Sequence, residues 1–106
     1  EMQLKRLHAR YHDPLKRWKL SPIDFAALDK WQVYSDAYDA MLTATDTKHA
    51  PWTVVEANDT LRSRLNIMRH VLHEIPYQGR DESRLGELDE KILLDVKTFM
   101  KTGGEE

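Results

Sequence analysis

Thr53-Val54-Val55 is the one β-branched run in a chain whose other regular patterns are all helical, and this isolation constrains the fold more than any other feature. The segment from Ala50 to Ala57, bounded by Pro51 and by Asn58-Asp59, reads as a single short buried strand. One strand cannot satisfy its own backbone donors and acceptors. It is therefore expected to pair with strands that this chain does not contain, or with a second copy of itself.

Helical spacing surrounds that strand. Leu4, Leu7 and Tyr11 recur at threes and fours until Asp13-Pro14, which disfavours helix just before the proline, so a first helix should end near His12. Ser21-Pro22-Ile23-Asp24 sets a side-chain acceptor at N-cap, proline at the first helical position and a carboxylate at N3, close to a capping box. From there Leu28, Trp31, Tyr34, Tyr38, Met41 and Leu42 predict one helix of about five turns, broken near Thr43-Ala44-Thr45-Asp46-Thr47. After the strand, Asn58 or Asp59 caps a third helix marked by Leu61, Leu65, Met68, Leu72 and Ile75, which Pro76 stops. Gln78 to Ser83 reads as a linker. Leu85, Leu88, Ile92, Val96 and Phe99 then predict a last helix, with fraying at Gly103-Gly104.

Charge is distributed unevenly. Residues 1–20 hold Lys5, Arg6, Arg10, Lys16, Arg17 and Lys19 against Glu1 and Asp13, a net +4, so the other 86 residues carry −6 within a chain total of −2. A local positive field at one end attracts polyanions although the whole chain would not. Arginine forks and lysine point charges are what phosphate oxygens require. Arg6 and Arg10 lie four apart on one helix face, and Lys16, Arg17 and Lys19 follow the Asp13-Pro14 turn, so a hinge between two helices would present charge from both sides, like a closing lid. The plainer alternative is a solvated helix face and loop. Trp18, between the basic residues, either anchors the loop to the core or stacks on a base, anchoring being favoured. With no cysteine, disulfides and thiolate metal sites are excluded, and no apolar run approaches the roughly 18 residues of a membrane span. A cytoplasmic location is expected. The chain opens on Glu1 directly in a charged helical pattern, as an internal piece of a longer polypeptide would.

Gln3, Arg6, Arg10, Asp13-Pro14, Lys16 and Trp18-Lys19-Leu20-Ser21-Pro22 resemble the lid module of the polyphosphate kinase 2 family. The likeness continues through Trp31, Tyr34, Ala37, Met41, Thr45-Asp46-Thr47, Ala50-Pro51-Trp52, Val55-Glu56-Ala57, Arg64-Leu65-Asn66 and Ile75-Pro76-Tyr77. The resemblance implies a mainly α fragment with one short strand, the carboxyl-terminal portion of an α/β P-loop kinase fold related to thymidylate kinases. It implies transfer of phosphoryl groups between inorganic polyphosphate and nucleotides, with Mg2+ as cofactor. On this expectation residues 1–77 are the lid and C-terminal part of the family's domain, and residues 78–106 are a linker and a packing helix outside the family. Carried over residue by residue, Arg10, Lys16, Arg17 and Lys19 would clamp phosphates, with Arg6 the weaker member.

The sequence also departs from the family. No G-x-x-x-x-G-K-[ST] loop occurs among its four glycines, so by itself the chain has no cradle for a nucleotide's phosphates and no evident magnesium carboxylate. No turnover is expected from it alone, nor any catalytic residue within it. Where the family shows Ala-Asp-Asp-Lys, this chain has Ala57-Asn58-Asp59-Thr60. His8 with His12 and His70 with His73 share helix faces, but each pair lacks a third ligand, so surface histidines are expected rather than metal. Asp36 with Asp39, and Glu87 with Asp89 and Glu90, are expected in solvent, and the tryptophans at 18, 31 and 52 in core or hinge packing. The expected partners are polyphosphate, a nucleotide, the rest of a kinase and further copies in a homo-oligomer, with neither nucleic acid nor membrane. A rival reading is a non-catalytic helical module for polyanion binding or oligomerisation.

Overall fold

A computed structural model describes residues 1–102, so the fraying expected at Gly103-Gly104 lies outside the described residues. The chain forms two compact units, residues 1–41 and 42–106. In the first, α1 spans Met2–His12, a 3₁₀ turn covers Arg17–Lys19 and α2 spans Pro22–Leu28. Helix α1 ends where the Asp13-Pro14 signal predicts, with Asp13 extended at φ −93°, ψ 110°. Ser21 and Asp24 close the capping box that starts α2, the Ser21 N–H donating to Asp24 Oδ2 at 2.7 Å.

The five-turn helix expected from Pro22 onward is two helices. Helix α2 stops at Leu28, Lys30 N bonds three residues back to Ala27 O, and α3 runs Trp31–Thr45 across the division of the chain. Asp29, a weak helix-interior residue whose side chain competes for backbone bonds, occupies the break.

In the second unit β1 spans Thr53–Val55, α4 Thr60–Glu74, α5 Glu82–Leu85, β2 Leu93–Asp95 and α6 Val96–Thr102. Contrary to the expectation of a partner outside the chain, strand β1 finds a partner within it. It pairs antiparallel with β2 in the register Thr53↔Asp95, Val54↔Leu94, Val55↔Leu93. The last helix expected from Leu85 to Phe99 is accordingly replaced by a turn, a strand and the short α6. The same apolar residues are covered either way: Ile92 and Val96 are buried, and Leu85, Leu88 and Phe99 half-buried. Pairing with β1 satisfies backbone groups that an isolated helix would have satisfied internally, and the tertiary gain decides the outcome.

The core is small. Leu42, 1% exposed, packs with Val54 and Val96, and Leu94 and Phe99 press against that cluster. Helix α4 starts as predicted at Asp59, whose Oδ1 accepts from Leu61 N and Arg62 N at 3.1 Å, and its last residue before the Ile75 C-cap and Pro76 is Glu74. The acid retained at Asp59 is thus committed to a helix cap. None of the three tryptophans is core, which removes that half of the core-or-hinge expectation: Trp18, Trp31 and Trp52 are all exposed. Two of them bond locally through the indole N–H, Trp18 Nε1 donating to Leu15 O at 3.0 Å and Trp52 Nε1 to Thr45 Oγ1 at 2.8 Å.

Candidate functional site

The basic strap lies on α1, the turn after it and the 3₁₀ turn. Pro14 supplies no N–H, and Leu15 N is diverted to Asp13 Oδ1 at 3.0 Å, so the helix cannot continue. Lys16 N and Arg17 N instead bond to Asp13 O at 3.0 and 2.9 Å, and Leu20 N to Arg17 O at 3.0 Å. The result is a closed, hydrogen-bonded turn between α1 and α2.

The strap's charges are in different situations. Lys16 Nζ stands 3.1 Å from Asp13 Oδ2, and this contact, with the Leu15 N–H, holds the Asp13 carboxyl below the usual carboxylate range. Arg17 Nε donates to Tyr11 O at 3.0 Å and its guanidinium lies over the Tyr11 ring, 5.4 Å from the centroid. Lys19 Nζ lies 5.4 Å from the Trp18 ring centroid, while Trp18 is 77% exposed. Arg10 is half-buried, and its charge helps hold the Asp24 carboxyl low, behind the larger effect of the Ser21 N–H and hydroxyl. Among the described residues Arg6, Arg10 and Lys19 enter no salt bridge.

The structure adds a constellation that the sequence reading missed. Helix α4 carries Arg62, Asn66, Arg69 and His73 at i, i+4, i+7 and i+11, a single polar stripe, and all four grip the segment Gly86–Asp89. Arg62 pairs with the Asp89 carboxylate, Asn66 Oδ1 accepts from Asp89 N at 2.8 Å, Arg69 Nη1 donates to Glu87 O at 3.3 Å, and His73 Nε2 lies 3.1 Å from Gly86 O. This clasp delivers β2 to β1. The Arg62 contact, reinforced by the Lys91 N–H, lowers the pKa of Asp89. A carboxylate held low in the folded state stabilises it above the ordinary carboxylate range, and that stabilisation is lost as pH falls through the lowered value. Amide exchange of Leu93–Asp95, corrected for intrinsic rates, is therefore expected to accelerate on acidification from pH 6 in the wild-type chain. In Asp89→Asn it should already be fast at pH 6.

The four members of the stripe are spaced as one helix face, the only signal in the sequence that could have revealed them. A cleft of about 620 Å³ opens beside the clasp, lined among others by Trp52, His70, His73, Glu87, Glu90 and Asp95. His70 Nε2 lies 3.2 Å from Thr53 Oγ1, and the rings of His8 and His12 are 4.4 Å apart. Among the described residues no three histidines or carboxylates converge as a group that could hold a metal ion. No helix among them is long and apolar enough to cross a membrane.

Comparison with known proteins bears directly on the strap. The family model for Polyphosphate kinase 2 (PPK2) matches residues 1–83. ADP-polyphosphate phosphotransferase 1 of Rhizobium meliloti is 58% identical over 101 residues, covering 95% of this chain and 34% of that protein. NDP-polyphosphate phosphotransferase 2 of Ruegeria pomeroyi is 53% identical over 93 residues, 88% of this chain and 27% of that protein. GDP-polyphosphate phosphotransferase of Pseudomonas aeruginosa is 46% identical over 110 residues, 91% of this chain and 31% of that protein. The chain spans about a third of the length of these curated relatives. The first of them is matched over 95% of this chain, the family model over residues 1–83. Matched by the family model through both the strap and β1, and by these relatives at 46–58% identity, the chain belongs to the polyphosphate kinase 2 family.

Proposed function

We propose that this chain supplies the basic lid and the carboxyl-terminal part of a phosphotransferase that moves phosphoryl groups between inorganic polyphosphate and nucleotides. The observation that carries the reading is the +4 strap, set on a closed turn between two helices, in a chain of this family. Arg10, Lys16 and Lys19 contact phosphate oxygens directly in this proposal, with Arg6 a weaker contact and Arg17 placed in the hinge beside them. Trp18 serves as the hinge aromatic. Phosphoryl transfer requires positioning and charge neutralisation more than covalent help, and a single arginine on the transferring group is worth on the order of a thousandfold in rate.

The remainder of the activity is placed outside this chain. A P-loop kinase half would carry the glycine loop and the carboxylates for Mg2+, residues 1–77 would complete its domain, and residues 78–106 would pack against it through the clasp. A cytoplasmic enzyme fits a chain without cysteine.

Calorimetric titration with long-chain polyphosphate at low and high salt tests the strap. Binding is expected to weaken with salt, and Arg10→Ala combined with Lys19→Ala should reduce affinity by about tenfold at low salt. Affinity indifferent to both salt and substitution would sink the proposal. Self-association into a homo-oligomer is favoured by a separate observation: Trp31, Val33 and Tyr34 on α3, and Leu61, Leu65 and Met68 on α4, are exposed.

A further inference from the structure

We infer that Arg17 is the latch of the strap, a positioning residue that ties the 3₁₀ turn back to the end of α1 and so sets where Lys16 and Lys19 stand. The functional half of this inference rests on the phosphate-binding role proposed above; the structural half does not. Tyr11 O would ordinarily accept from Leu15 N in a continuing helix, but that N–H is committed to Asp13 Oδ1. Arg17 Nε takes its place at 3.0 Å, six residues on. The guanidinium thereby sits at the negative end of the helix dipole, where a cation is favoured.

Two features require arginine rather than any cation. The planar fork bonds through Nε while its face covers the Tyr11 ring at 5.4 Å. A lysine ammonium has no equivalent of Nε partway along the chain and cannot do both. Moreover, Lys16 N and Arg17 N share Asp13 O, and Leu20 N closes on Arg17 O, so Arg17 belongs to the turn through its backbone as well as its side chain. Releasing it frees the turn that carries both lysines.

Arg17→Lys and Arg17→Ala in the 106-residue chain separate latch from phosphate ligand. Two readouts are needed: amide exchange at Lys16, Arg17, Lys19 and Leu20 without ligand, and affinity for long-chain polyphosphate. The latch predicts that both variants accelerate exchange about fivefold and weaken polyphosphate binding to a similar extent, lysine failing to rescue although it keeps the charge. Wild-type exchange in both variants overturns the latch, as does full rescue by lysine, which would make Arg17 a direct phosphate contact. If the wild-type chain binds no polyphosphate, the reading of the strap fails, and the exchange rates alone then support or overturn the latch.

Discussion

Leu42→Ala is expected to lower the unfolding free energy of residues 42–106 by about 3 kcal/mol, in the lower half of the range for a leucine truncated in a packed core. Among the described residues Leu42 is the large side chain with essentially no exposure, and it belongs to a cluster whose other buried members are Val54 and Val96. A core this small offers little alternative packing, so the surroundings have few ways to close the cavity. The three partners come from α3, β1 and the start of α6, so the loss falls on contacts that hold β1 and the residues after β2 together. Urea unfolding followed by far-ultraviolet circular dichroism measures it. A loss below about 1 kcal/mol, in the range of an exposed substitution, would mean that this cluster is not what stabilises the unit.

Gly86→Ala is expected to cost about 2 kcal/mol for two separable reasons. Gly86 adopts φ +76°, a conformation that L side chains avoid, and a Cβ there would stand 3.0 Å from Arg69 Nη2. The guanidinium is flexible and can move, but moving it draws Arg69 away from Glu87 O and loosens one contact of the clasp. Gly79 supplies the control. Its φ is +79°, and a Cβ there would meet nothing within 4 Å, so Gly79→Ala carries only the backbone strain, about 1 kcal/mol. Equal losses in the two variants, read from the same urea titrations, would show that the contact with Arg69 contributes nothing. The greater loss at Gly86 should be accompanied by faster amide exchange in Leu93–Asp95, because the clasp brings that strand to β1.

The strap's arrangement gives its charges unequal roles that their spacing did not reveal. Six cations in twenty residues look interchangeable in the sequence, yet Lys16 is paired with Asp13 and Arg17 with a helix-end carbonyl, while Arg6, Arg10 and Lys19 enter no salt bridge among the described residues. This difference is what makes Arg10 and Lys19 the informative pair for substitution. It follows from Pro14 and Asp13, which stop α1 and leave Tyr11 O open to a side chain six residues on.

The sequence by itself determined four of the helix boundaries, though not the break between α2 and α3, because capping is local chemistry. Ser21 with Asp24, Asp59 at the head of α4, Asp13-Pro14 after α1 and Pro76 after α4 each act on backbone groups within a few residues, and each has the predicted effect. The sequence likewise carried the family in the residues of the strap. Tertiary structure alone decided the fate of Leu85–Phe99. Their spacing suits a helix, but β1 offers a row of unpaired backbone groups, and a polar stripe on α4 fastens Gly86–Asp89 in the turn that reaches it. Pairing between positions some forty residues apart leaves no local periodicity to read, so a pattern that is helical in isolation becomes a strand once its partner is present.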